Sequence, residues 1–324
     1  MDIYVKKAII HQFSPDDTDL YLADKFLNIT PKIEEYLRKK IERVYSDEAR
    51  TGIFEEDNPF LEMISDDLLE TSVAVANRWK EEFVVSENQK TNDLVFIQFS
   101  KEGVDHFAFL RIALRETLTH LGDEVDNPIK LTQNNLPGFG TGADEALVIN
   151  LQSRKYHLIE KRIKYNGTFL NYFSENLLQA QPKISPKKSI KALEKTAQKI
   201  AESFNTDDFQ FQSKVKSAIF NHIEEENKLS PEKLADDLFD DNLTARLSFI
   251  DQVKEAVPEP VTFEEIDASR QLKKFENQKL SLSNGIELIV PNNVYEDAES
   301  VEFILNENGT YSILIKNIED IQSK

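Results

Sequence analysis

Apolar and polar positions alternate at the start of the chain: Ile3 and Val5, then Ala8, Ile9 and Ile10, before a polar break at Ser14-Pro15-Asp16-Asp17. Leu20 to Leu27 then reads as the returning strand of an N-terminal hairpin. Thr30-Pro31 pairs an N-cap residue with proline at the first helical position. Ile33, Tyr36, Leu37, Ile41 and Val44 follow at helical spacing, which predicts a helix near 31–46. A second helix is expected through Leu68, Val73, Val75, Trp79 and Phe83, with Pro59 marking the break before it. Leu94 to Phe99 is rich in β-branched and aromatic residues. The turn Lys101-Glu102-Gly103 leads from it to Phe107, Phe109, Leu110 and Ile112, a hairpin. After a polar loop, Ala146 to Leu151 and Tyr156 to Ile159 read as two more strands. Residues 1–165 are therefore expected to form an α+β domain built on a largely antiparallel sheet.

From Phe169 the period becomes helical and stays so to about residue 260, with Ser185-Pro186 and Ser230-Pro231 as two further helix starts. A mainly helical region over 166–260 follows from this. Pro258-Glu259-Pro260 is a short stiff linker, and Thr262-Phe263-Glu264-Glu265 has the spacing of a capping box that opens one more helix. Leu280, Leu282, Ile286, Leu288 and Val290 alternate as strands. So do Val301, Phe303 and Leu305, then Tyr311, Ile313 and Ile315 beyond the turn Asn308-Gly309. Residues 261–324 are expected as a small β unit packed on the rest.

Composition narrows the chemistry. The 324 residues suit two domains, 40% of them are apolar, and only nine are glycine. Cysteine is absent, which removes disulfides, thiolate zinc sites, iron–sulfur clusters and thiol nucleophiles. His11, His106, His120, His157 and His222 are scattered without metal-ligand spacing, and no catalytic constellation is present. Paired acids such as Glu55-Glu56 and Asp66-Asp67 are ordinary in so acidic a chain. Neither an enzyme activity, a metal nor an organic cofactor is expected. With no signal-like apolar core near Met1 and no apolar run of membrane-spanning length, the expectation is a cytoplasmic protein.

Charge changes the picture most. The formal net charge is −19, yet residues 151–200 carry 11 basic against 3 acidic side chains. On a helix starting at Pro186, at about 100° per residue, Ile190, Leu193, Ala197, Ile200 and Phe204 share one stripe. Lys188, Lys191, Lys195 and Lys199 fall on the opposite face, next to Lys187, and span about 16 Å, long enough to follow several phosphates of one strand. The competing reading is a plain solvated face. A second cluster, Arg154, Lys155, Lys161, Arg162 and Lys164, lies just upstream. Tyr156, Tyr165 and Tyr172 interleave with it, either to stack on bases or to pack at the edge of an inter-domain hinge.

Two weaker patterns are set aside. Lys228 to Ala235 resembles the first helix of a helix-turn-helix, but Asp236, Asp237, Asp240 and Asp241 follow and would repel phosphate, so a packed helix is expected. Gly138-Phe139-Gly140-Thr141-Gly142 lacks the lysine and hydroxyl residue of a phosphate cradle and reads as a mobile loop.

Several segments, in order along nearly the whole chain, resemble the bacterial nucleoid-associated protein family of the NdpA or YejK type. They are Ile10-His11-Gln12-Phe13; Val44-Tyr45-Ser46 with Ala49 and Gly52-Ile53-Phe54; Phe169 with Tyr172-Phe173; and Asn308-Gly309-Thr310-Tyr311-Ser312-Ile313. The match is loose over residues 115–145 and 205–260. The resemblance implies a cytoplasmic, nucleoid-located protein that binds double-stranded DNA with little sequence preference, and no enzyme activity.

Two functions stay open on the residues. In one, the lysine face and the Arg154–Lys164 cluster hold the DNA backbone. In the other, the acidic surfaces make the protein an adaptor that docks a basic partner, DNA-handling proteins included.

Overall fold

The computed structural model describes all residues except 17, 86–89, 121–128, 166, 206–208, 264 and 323–324. Contacts divide the chain into two units, Met1–Ser185 and Pro186–Lys324.

The first unit is α+β. Its strands and helices run β1 (Ile3–Ser14), β2 (Asp19–Tyr21), α1 (Pro31–Val44), β3 (Arg50–Ile53), α2 (Pro59–Glu62), α3 (Leu68–Phe83), β4 (Asn92–Lys101) and β5 (Val104–Ala113). They continue with β6 (Arg115–His120), β7 (Ile129–Asn135), β8 (Glu145–Asn150), β9 (Lys155–Ile159), β10 (Ile163–Tyr165) and β11 (Thr168–Leu170). Seven strands form one antiparallel sheet in the order β2-β1-β4-β5-β8-β9-β3. Apart from Gln98, the run Leu94 to Phe99 is apolar on both faces because the sheet is covered on both. Leu94 and Phe96 share a core with Trp79 and Phe83 of α3, whereas Val95, Ile97 and Phe99 share one with Leu37, Ile41 and Val44 of α1.

Several expectations need correction. The returning strand after the first turn is only Asp19–Tyr21, not Leu20 to Leu27, because Ala23 N–H turns inward to His11 Nδ1 at 3.0 Å. Pro59 does not merely break the chain; it begins α2, capped by the Asn58 side chain on Phe60 N–H. The stretch expected as a polar loop holds the β6–β7 hairpin, whose strands are mostly polar and whose few apolar residues, Leu118, Ile129 and Leu131, are exposed. Residues after Phe169 are not yet helical: Thr168–Leu170 is a strand, and Phe173–Leu177 is one π-helical turn.

That turn belongs to the first unit. Tyr172, Phe173, Leu177 and Leu178 are buried in the first core. Tyr172 donates its hydroxyl to Glu145 and accepts from Trp79 Nε1 at 3.0 Å, while Glu145 pairs with buried Arg111 at 2.6 Å.

The second unit holds α4 (Pro186–Ser203), α5 (Phe209–Glu226), β12 (Lys228–Leu229), α6 (Pro231–Leu238), α7 (Leu243–Lys254), β13 (Val261–Thr262) and α8 (Glu265–Phe275). After these come β14 (Asn277–Ser281), β15 (Glu287–Pro291), α9 (Asn292–Tyr295), β16 (Val301–Leu305) and β17 (Tyr311–Ile315). Residues 228–235 hold strand β12 and the start of α6, whose Leu234, Ala235 and Leu238 are buried, as a packed helix requires. The expected capping box does not open the helix at Thr262, which belongs to β13 opposite Lys228; α8 begins at Glu265, whose side chain lies outside the described residues. The terminal strands form two separate hairpins; Phe303 and Tyr311 meet Phe209 edge-on, and Gln278 of β14 donates to Asn292 at 2.7 Å and Ser213 O at 3.2 Å.

Candidate nucleic-acid interface

Helix α4 begins where Ser185-Pro186 was expected to start one, and its burial follows the apolar spacing. Ile190, Leu193, Ala197, Ile200 and Ala201 are buried with Ile219 and Ile223 of α5 and Phe249 and Val253 of α7, and Phe204 is partly buried against the same core. Fixing that stripe inward leaves Lys187, Lys188, Lys191, Lys195 and Lys199 exposed. Lys199 Nζ donates to Gln252 Oε1 at 2.9 Å, and Lys191 lies near enough to half-buried Glu194 to act on its charge. Lys188 and Lys195 form no ion pair among the described residues. Glu202, one turn beyond Lys199 at the same helical angle, closes the stripe; it accepts from Gln198 at 3.2 Å.

The upstream cluster is built differently. Asn150 Oδ1 accepts from Gln152 and Ser153 N–H, an Asx turn that throws Arg154 into the left-handed region at φ 59°. Its guanidinium then meets Glu56 at 3.1 Å. Lys161 pairs with Asp144 at 3.0 Å, and Arg162 donates to the Phe169 carbonyl at 2.7 Å across the β10–β11 hairpin. Lys155 and Lys164 are exposed. Arg154, Lys161 and Arg162 are thus engaged by neighbours in the fold.

Two of the three tyrosines interleaved with them, Tyr156 and Tyr172, do not offer stacking surfaces. Tyr156 is buried against Phe54, and Tyr172 is buried beside Trp79 and Glu145. The Tyr165 side chain lies outside the described residues.

Sequence reasoning missed Lys40, Arg43, Lys90 and Arg115. Lys40 is fully buried, and its ammonium donates to the carbonyls of Pro137 at 3.3 Å, Gly138 at 2.9 Å and Thr141, 4.4 Å from the Tyr36 ring centroid. The glycine-rich segment 138–142 is therefore tied to α1 rather than hanging free. No spacing rule could reveal this, since the carbonyls come from a distant loop. Burial pushes Lys40 down to about 8, and Arg43 and Arg115 push the same way against Asp144.

Among the described residues, no three His, Asp or Glu side chains converge as metal ligands, and no helix is long and apolar enough to cross a membrane. A family model described as nucleoid-associated protein YejK matches residues 9–321. Comparison with curated proteins gives no match.

Proposed function

The chain belongs to the nucleoid-associated protein YejK family, and from that premise we propose that it binds double-stranded DNA with little sequence preference through the lysine face of α4. The observation that carries this reading is the segregation on one helix. Four exposed lysines stand opposite a buried apolar stripe, in a chain of net charge −19. Ordinary surfaces intersperse both signs. The face is straight and about 16 Å long, and its side chains are lysines with no planar fork to read base edges, so it suits the backbone of any sequence. The Arg154–Lys164 cluster has a lesser part here, because Glu56, Asp144 and the Phe169 carbonyl already engage three of its members. The role is non-enzymatic and belongs at the nucleoid.

The test is the variant Lys188→Gln/Lys191→Gln/Lys195→Gln/Lys199→Gln, titrated against two duplexes of unrelated sequence. Binding should weaken to a similar degree for both, with the circular dichroism spectrum unchanged. Equal binding by parent and variant would leave the face as solvated surface.

One observation supports the adaptor reading instead. A cleft of about 510 Å³ in the second unit is lined by five acids, Glu225, Glu226, Asp236, Asp237 and Glu296, against Lys214, Lys233 and His222; Glu226, Asp236 and Asp237 already meet Lys233, Arg246 and His222, so Glu225 and Glu296 are the acids it would offer a basic protein.

A further inference from the structure

The first unit holds a second concentration of uncommitted positive charge. A cleft of about 690 Å³ opens at the base of the β6–β7 hairpin, lined by Lys90, Thr91, Arg115, Glu116, Asn134 and Asp144 among others. Its two acids are already engaged. Asp144 Oδ2 accepts from Ala113 N–H at 2.9 Å, and its Oδ1 takes Lys161 at 3.0 Å. Burial alone would raise the Asp144 carboxyl, but that N–H and Lys161 outweigh it and hold the group below its ordinary range. Glu116 accepts from Gln133 Nε2 at 3.2 Å.

The cations are not engaged in this way. Lys90 and Arg115 are exposed, and neither forms an ion pair among the described residues. Arg115 and Arg43 both act on buried Lys40, whose own ammonium is spent on backbone carbonyls and neutralises no carboxylate. Lys161, at the same wall, is spent on Asp144 and adds no free charge. Thr91 and Asn134 side chains carry no hydrogen bond among the described residues. Asn134 sits in the left-handed region at φ 58°, at the end of β7 where the chain turns along the cleft wall.

We propose that this cleft binds a phosphate group, with Lys90 and Arg115 taking its charge and the Thr91 hydroxyl and Asn134 amide donating to its oxygens. A guanidinium and an ammonium on one polar cavity, with hydroxyl and amide donors beside them, outweigh the single charge of Glu116 once Lys161 has taken that of Asp144, and match a tetrahedral anion better than a neutral or cationic ligand. The phosphate has two possible sources, a phosphodiester of a nucleic-acid strand or a small phosphorylated molecule free in solution. The site is independent of the α4 face, and its test uses different residues.

The experiment is a calorimetric titration of the full chain with inorganic phosphate. The parent should bind at one site. The double variant Lys90→Gln/Arg115→Gln, which alters only exposed side chains, should bind at least about tenfold more weakly, as expected for two lost charge-assisted bonds. Lys188→Gln/Lys195→Gln should bind phosphate like the parent. Repeating the titration with a short duplex in excess separates the sources: displacement of phosphate assigns a nucleic-acid strand, and undisturbed phosphate binding assigns a small phosphorylated molecule. No phosphate binding by the parent, or equal binding by parent and Lys90/Arg115 variant, would overturn the proposal.

Discussion

His11 shows what a single position in the resemblance segments does. Its Nδ1 accepts from Ala23 N–H at 3.0 Å, so that nitrogen carries no proton. Ser72 spends its own hydrogen on Leu69 O at 2.8 Å and must accept from Nε2–H of His11 at 2.9 Å. The ring is thus a neutral Nε2–H tautomer, and burial pushes its pKa down from 6.5 to about 4. In the unfolded chain the same ring protonates near 6.5. Between about pH 6.5 and 4 the unfolded state therefore binds the extra proton, and this contribution to stability falls as pH falls, by up to on the order of 3 kcal/mol. Denaturant titrations at pH 7 and 4.5 should show that loss in the parent and a smaller one in His11→Gln; equal losses would assign the pH dependence elsewhere. Gly52 is fixed for a different reason. A Cβ there would press into the Tyr156 ring opposite it on β9. Gly52→Ala should cost about 1–3 kcal/mol and lower the melting temperature by several degrees.

Helix α4 separates folding from binding within one element. Leu193→Ala removes a fully buried side chain from the second core and should cost about 2–5 kcal/mol, measurable by urea denaturation. Lys195→Gln, two residues on, removes only an exposed charge and should leave the urea midpoint where it is while weakening duplex binding. This element was legible in the sequence because both its start at Ser185-Pro186 and its two faces depend only on local spacing. The β6–β7 hairpin was not, because Ile129 and Leu131 of β7 alternate over four residues only, are both exposed, and are followed by the polar run Thr132 to Asn135. The state of the Arg154–Lys164 cluster was hidden for another reason: Glu56 and Asp144, which engage it, are brought in by β-sheet pairing and a distant loop. Tyr156 and Tyr172 read as stacking candidates on composition, and only the tertiary core decides that they face inward. Lys40 hides in the same way, as a lysine on an amphipathic helix that spends its ammonium on a loop far along the chain.

Over the whole molecule the negative charge is shared almost evenly, with about −9 in Met1–Ser185 and −10 in Pro186–Lys324. A DNA-binding surface on such a chain must be local, and its contribution must depend steeply on salt. At low salt the acidic remainder also repels the duplex, so the attractive face and the repulsive background are screened together. The number of phosphates contacted separates them, because each one releases a condensed counterion on binding. The most direct measurement is therefore the slope of log affinity against log salt for one duplex, in the parent and in the α4 variant with Lys188, Lys191, Lys195 and Lys199 replaced by Gln. Contact by the lysine face predicts a parent slope of about −3.6 or steeper, and a variant slope flatter by about that amount. Parallel slopes with equal affinities would contradict DNA binding by α4.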